Sequence, residues 1–211
     1  MLLLNQLQDS CNFQFFVETG TFNGDTVDAV KPHFNKVYSV ELSEILYKAA
    51  KKRFIDDDKV EIFHGDSSEI LKNISAQLSD ETVLYWLDAH WCVADNTSGD
   101  KSQCPLLNEI KNINTLNGDS VILIDDARLF MAPPAVPHDV TQWPDLSQVI
   151  NSLQSISSQH EIMIVNDVIA FYPQVAKESI IRYARDCGVD WLDAANCLKQ
   201  NEILFQQLEE K

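Results

Sequence analysis

The stretch Phe16–Val27, FVETGTFNGDTV, decides how the chain is read. A short apolar run ends at Glu18, glycines follow at positions 20 and 24, and Asp25 and Thr26 open what reads as a helix. A chain that leaves a strand, turns on glycine and enters a helix forms a pocket at the carboxyl edge of a parallel sheet. Gly20 and Gly24 let the backbone approach a ligand and the helix approach the strand. A dinucleotide-binding turn would read GxGxxG and set a pyrophosphate on the helix N-terminus. Here the spacing is Glu18-x-Gly20-x-x-x-Gly24, and Glu18 and Asp25 are both expected close to where that pyrophosphate would lie. Anions would be repelled there and a cation welcomed.

Outward from this turn, strand-like runs alternate with stretches of helical period. Phe13–Glu18, Lys36–Glu41, Lys59–Gly65, Thr82–Asp88 and Ser120–Asp126 have the β-branched and aromatic content of strands, closed by polar residues. Helices are expected over Thr26–Phe34, Ser43–Phe54 (with Ser43 as N-cap), Ser67–Leu78 and Pro105–Leu116. This alternation predicts a parallel sheet covered on both faces, with the carboxyl ends of its strands at one edge. His160–Pro173 breaks the pattern: two strand-like runs meet at Asn166-Asp167 with no room for a crossover helix, so they must be antiparallel. The expected fold is α/β, a Rossmann-like three-layer sandwich. Its seven-stranded, mostly parallel sheet carries one antiparallel strand from a C-terminal hairpin. Residues 1–211 read as one domain, with a core over about 13–173 and a helical extension over about 175–211 broken at Arg185–Asp190.

Composition bounds the partners. Hydrophobic residues make up 45% and charged residues 23%, which suits a globular domain, and 32 acidic against 16 basic residues leave a net charge of −16. Such a surface repels phosphate backbones, so no nucleic-acid partner is expected. MLLLNQL lacks the basic flank and cleavage site of a signal peptide and reads as a packed helix. No apolar run is long enough to span a bilayer, so no membrane partner is expected either. Five irregularly spaced cysteines suit reduced thiols in a cytoplasmic protein, and no CxxC pair supports a zinc site.

The strand ends carry the chemistry. Glu41 closes the second strand, where a carboxylate can accept both hydroxyls of a ribose, and Asp66 with Ser67 closes the third, where an adenine amino group can be met. Either acid could instead simply cap the helix that follows. S-adenosylmethionine, with a sulfonium, an ammonium and no phosphate, suits such a pocket. The motifs VETGTFNGDT, VYSVELS, FHGDSSEIL, LYWLDAHW and VILIDDAR resemble the successive ligand-binding motifs of class I S-adenosylmethionine-dependent methyltransferases, over about Phe13–Pro173. Within that superfamily the chain is similar to metal-dependent small-molecule O-methyltransferases of the catechol and macrolide-sugar types. The resemblance implies cofactor contacts from Glu18, Gly20, Thr21, Gly24, Glu41, Leu42, Asp66, Ser67 and Asp88.

Asp88 closes the fourth strand, and Asp125 and Asp126 close the fifth. Three carboxylates converging at one edge would suit a divalent ion with oxygen ligands. The resemblance implies magnesium there, holding substrate oxygens and lowering a hydroxyl's pKa. The alternative pairs Asp125 with Arg128 and leaves Asp126 to start a helix. Relatives often carry a basic residue three positions after the strand-four acid. That position is Trp91 here, so His90 is the expected base, with His138 a weaker second. Two long connections, Trp91–Cys104 and Ala127–Pro144, lie at this edge as lids or substrate walls. Phe130, Met131, His138 and Trp143 are expected to line an acceptor pocket, or else to pack against a second subunit of a homo-oligomer. The leading expectation is O-methylation of a small hydroxylated metabolite or sugar. A non-catalytic binding protein and a nicotinamide-dependent oxidoreductase are the competing readings.

Overall fold

A computed structural model of the chain describes residues 2–91, 102–113 and 116–197. The sheet is built from β1 (Phe15–Thr19), β2 (Lys36–Glu41), β3 (Val60–His64), β4 (Val83–Leu87), β5 (Val121–Ile124), β6 (His160–Val165) and β7 (Val168–Pro173). Their spatial order is β3-β2-β1-β4-β5-β7-β6; the first five are mutually parallel, and β7 runs antiparallel to both β5 and β6. The order reverses at β1, between β2 and β4, which is where an open parallel sheet leaves a crevice at its carboxyl edge.

Strict alternation along the strands sorts the core into two layers. Phe16, Leu84, Val121 and Leu123 face α1 (Leu2–Cys11), α2 (Asp25–Val30) and α8 (Lys177–Cys187). Val17, Tyr85, Ile122 and Ile124 face the opposite side with α4 (Ser67–Gln77), α5 (Leu106–Asn112) and α7 (Leu146–Ile156). α3 (Glu44–Arg53) covers β2 and β3 on the first side through Ala50, and the short α6 (Arg128–Met131) follows β5. Burial on both faces explains why the central strands read as continuous apolar runs.

Several element boundaries differ from expectation: α2 ends at Val30, where a 3-10 turn over Lys31–His33 takes over, and β5 spans only Val121–Ile124. β1 begins at Phe15, because Asn12 bends the chain with φ 50 after α1. α5 stops at Asn112, four residues before the expected end. α7 was not assigned from the sequence at all, although Asp145 and Gln148 form a reciprocal capping box at its start. The hairpin turn is tied down from outside: the Asn166 amide donates to the Tyr183 hydroxyl at 3.1 Å and its oxygen accepts from the Val189 N–H at 2.8 Å. None of the described helices is long and apolar enough to cross a membrane.

Candidate active site

A cleft of about 320 Å³ opens at the carboxyl edge, at the strand-order reversal. It is lined in turn by Gly20 after β1, Glu41 and Leu42 after β2, Asp66 and Ser67 after β3, Asp88 and His90 after β4, and Asp125 and Asp126 after β5. Strand ends far apart in sequence therefore meet around one space. Gly20 has φ 85, and a Cβ there would stand 2.2 Å from the Asp88 carbonyl oxygen, so only glycine lets β1 turn beneath β4. Phe22, exposed beyond it, and Leu46 supply apolar walls at the β2 end.

Glu41 is buried and oriented by two backbone donors: Oε2 accepts from the Phe22 N–H and Oε1 from the Ser43 N–H, each at 2.8 Å. Asp66 combines both roles considered from the sequence. It N-caps α4 through the Ser68 N–H at 2.9 Å while lining the cleft.

Glu18, Thr21 and Gly24 do not line this cleft. Glu18 is still within β1, opposite Ser39 and Trp86, so its side chain leaves the sheet face instead of the sheet edge. It accepts a hydrogen bond from the Ser39 hydroxyl, and burial pushes its pKa up to about 8. The Thr21 hydroxyl bonds Ser39 at 2.6 Å beneath the cleft, and Gly24 caps α2 against the Phe54 ring. Asp25 is exposed and paired with Arg53 at 2.6 Å. The repulsion expected against a pyrophosphate from Glu18 and Asp25 thus falls to the carboxylates that do line the cleft, Glu41, Asp66 and Asp88.

At the far end, His90 stands between two aspartates. Its Nε2 is 2.7 Å from Asp126 Oδ2 and its Nδ1 is 3.7 Å from Asp88 Oδ1, and the side chain is only 6% exposed. Burial opposes its charge, but the hydrogen bond to Asp126 and the field of Asp88 outweigh it and raise its pKa. Burial pushes Asp88 up to about 7, with Asp125 and Asp126 adding to the shift against the lowering effect of His90. Asp126 is held down at about 2 by His90 and by Arg128, whose guanidinium also pairs with Asp167 in the hairpin turn. Arg128 therefore pairs with Asp126, and not with Asp125 as the sequence alternative had it.

The expected magnesium centre at Asp88, Asp125 and Asp126 is not assembled. Among the described residues no group of three or more His, Cys, Asp or Glu side chains is placed to hold a metal ion. Both Asp126 oxygens are taken, one by His90 and one by Arg128, and Asp125 Oδ1 turns back to accept from the Asp126 N–H at 2.9 Å. The residues at this end do not fit a metal as they stand.

The expected acceptor wall is also rearranged. Phe130 and Trp143 are buried, packing edge-on or tilted against His90 and each other at 5.6–6.4 Å. With exposed Met131 they border a separate hollow of about 120 Å³. His138 packs against Trp91 and Trp143 and lines neither space. Gln103 joins the two long connections. Its oxygen accepts from the Asp139 N–H and Trp143 Nε1, and its N–H donates to Gln142. The rest of the first connection, residues 92–101 with Cys92, lies outside the described residues. Ser102 and Pro105 reach the cleft without having been singled out from the sequence.

No protein-family model matches the chain, and no curated protein sequence does. Solved structures match it in fold. A Staphylococcus aureus protein provisionally assigned as a caffeoyl-CoA O-methyltransferase superposes with TM-score 0.55 at 15% identity, over 80% of this chain and 79% of that one. MycE, a methyltransferase of the mycinamycin biosynthetic pathway solved with Mg and SAH, gives 0.55 at 13% over 80% of this chain. Spermidine synthase from Thermotoga maritima gives 0.54 at 12% over 86%. The chain spans about half of MycE, at 47%, and 61% of the spermidine synthase. The fold is that of the class I methyltransferases. Because it also serves a synthase, the fold alone does not select the reaction.

Proposed function

We propose that the protein is an S-adenosylmethionine-dependent methyltransferase acting on a hydroxyl of a small molecule. The observation that carries this reading is the single cleft running from Glu41, Asp66 and Ser67 to Asp88 and His90. Glu41, oriented by two backbone donors, is the carboxylate placed at the β2 end to accept ribose hydroxyls. Asp66 and Ser67 take the adenine, and Gly20 lets the backbone approach the methionine portion. Acids at Asp88 and Asp125 favour the sulfonium and ammonium at the other end.

In the proposed step the acceptor oxygen attacks the methyl carbon in line, the carbon–sulfur bond breaks and its electron pair returns to sulfur. The hydroxyl proton passes to Asp88, whose pKa of about 7 suits a general base near neutrality. His90, mostly buried and bonded to Asp126, positions Asp88 and offsets its charge; this revises the expectation that His90 itself takes the proton. Magnesium, present in MycE, would have to draw Asp126 away from His90 and Arg128 to bind here. The assignment of the Staphylococcus aureus protein as a caffeoyl-CoA O-methyltransferase and the motif resemblance support an oxygen acceptor.

The test is titration calorimetry with S-adenosylmethionine, S-adenosylhomocysteine and NADH, followed by a screen of small hydroxylated molecules that reads S-adenosylhomocysteine formation. Binding of the two sulfur nucleosides without NADH, and turnover of at least one acceptor, is expected. NADH binding in preference to either would overturn the assignment, and binding without any turnover would leave a non-catalytic nucleoside-binding protein.

A further inference from the structure

At the far end of the cleft the chain brings a cation of its own. Asp88, Asp125 and Asp126 lie along the edge after β4 and β5, where the motif resemblance implies a divalent ion. The cation that meets them is Arg128. Its guanidinium pairs with Asp126 Oδ1 and with Asp167 in the β6–β7 turn, while Asp126 Oδ2 meets His90 Nε2 at 2.7 Å.

Exposed ion pairs contribute little by themselves, and the Arg128 side chain is 59% exposed. This arginine is placed by more than its ion pairs. Its own N–H donates to Asp167 Oδ1 at 2.9 Å, and the Ala127 N–H donates to the Asp167 carbonyl at 2.8 Å. The backbone entering α6 is therefore clamped to the hairpin turn, which Asn166 ties to Tyr183 and Val189. Asp126 adopts φ 56, a left-handed conformation that a residue other than glycine keeps only where its surroundings hold it. From that bend Arg128, two residues on, closes back on the Asp126 carboxylate.

Charge then decides what else can settle at this edge. A divalent ion needs carboxylate oxygens turned toward it, and one lodged on Asp126 would be repelled by the guanidinium on the same carboxylate. Asp125 Oδ1 is already committed to the Asp126 N–H. A covalently attached cation, unlike an ion, is neither diluted away nor chelated. We propose that Arg128, anchored on Asp167, is the built-in cation of this edge: it holds the Asp126 carboxylate in place for His90 and keeps divalent ions off Asp88, Asp125 and Asp126. Its part in turnover rests on the methyl-transfer reading above, whereas its exclusion of a metal does not.

The test titrates Mn2+ into the full chain by calorimetry near neutral pH, with wild-type protein, Arg128→Ala and Arg182→Ala. Arg182 lies on α8, and its removal changes the net charge by the same amount. The wild-type protein is expected to hold no Mn2+ more tightly than about 0.1 mM, the weak end of carboxylate sites. Arg128→Ala should gain at least about fivefold in affinity, with Arg182→Ala within about twofold of wild type. Adding Asp126→Asn, a residue that tolerates the left-handed backbone there, should remove most of that gain. Loss of an exposed arginine opens no core cavity, and Arg128→Gln gives the same comparison if Arg128→Ala does not fold. Wild-type binding tighter than about 0.1 mM, or a gain below about fivefold, would overturn the proposal. So would a gain shared by Arg182→Ala or one that survives Asp126→Asn. Failure of the wild-type protein to bind S-adenosylhomocysteine would overturn the methyl-transfer reading alone.

Discussion

Glu41 and Asp88 carry the two ends of the proposed chemistry, and each has a distinguishable signature. Removing the Glu41 carboxylate leaves two ribose hydroxyls without a charged acceptor and also releases the Phe22 and Ser43 amides. Glu41→Ala should weaken S-adenosylhomocysteine binding by about 1.5–3 kcal/mol in calorimetry, the range for charge-assisted hydrogen bonds. Unchanged affinity would remove Glu41 from the ribose site. For Asp88 the signature is a pH profile. The base must be ionised, so turnover should rise with pH through about 7 and level off above it, because burial raises the folded-state pKa to that value. Asp88→Asn should lose about 100-fold or more in kcat and the acid limb with it, a loss that saturating S-adenosylmethionine does not restore. A surviving limb would return the base role to another group, His90 first.

At the scale of elements, β1 stores a cost that pH can reveal. Glu18 has a pKa of about 8 in the folded chain against an ordinary 4.5, because β1 places it on a buried sheet face. The folded protein therefore keeps a proton that the unfolded chain releases, and stability falls as pH rises between those values and is flat beyond them. Glu18→Gln retains an oxygen for the Ser39 hydroxyl and removes the ionisation. Denaturant unfolding at about pH 9 should show the variant more stable by about 2–4 kcal/mol, with little difference near pH 4.5. Equal stability at both pH values would mean that Glu18 is not buried as described. Glu109, raised to about 7, adds a slope of its own that this variant leaves in place.

On the scale of the whole molecule, the hairpin reaches back to the site. Arg128 bridges Asp126, beside the cleft, and Asp167, in the β6–β7 turn, so the cation that meets the acidic edge comes from the protein. Dialysis against EDTA should accordingly leave turnover within about twofold, measured as S-adenosylhomocysteine formed, since no described ligand set would be emptied. Abolished turnover restored by magnesium would mean that Asp126 leaves His90 and Arg128 to take the metal.

The strand–helix alternation, the glycine turn and the Asn166-Asp167 hairpin specify this sheet because they are local signals: short apolar runs of strand length, stretches of helical period, and turn residues between them. The same locality made Glu41, Asp66, Ser67 and Asp88 legible, since a residue just past a strand end must lie at the sheet edge once the strands are parallel. Glu18 shows where that reasoning stops. One residue inside the strand end, it points off the face and not into the cleft, a distinction that depends on where pairing with β2 and β4 ends. Asp126 and Glu109 were further out of reach. Whether three aspartates gather round an ion or one of them takes a histidine and an arginine depends on which side chains arrive from β4 and from the hairpin turn. Glu109 left a trace, an acid on an apolar helical stripe, but only the packing of α5 against the sheet shows it buried, at 1% exposure. Sequence periodicity determined which edge would hold the site; side-chain packing between distant segments decided which charges meet there, because electrostatic pairing depends on distances of a few ångströms that no linear spacing encodes.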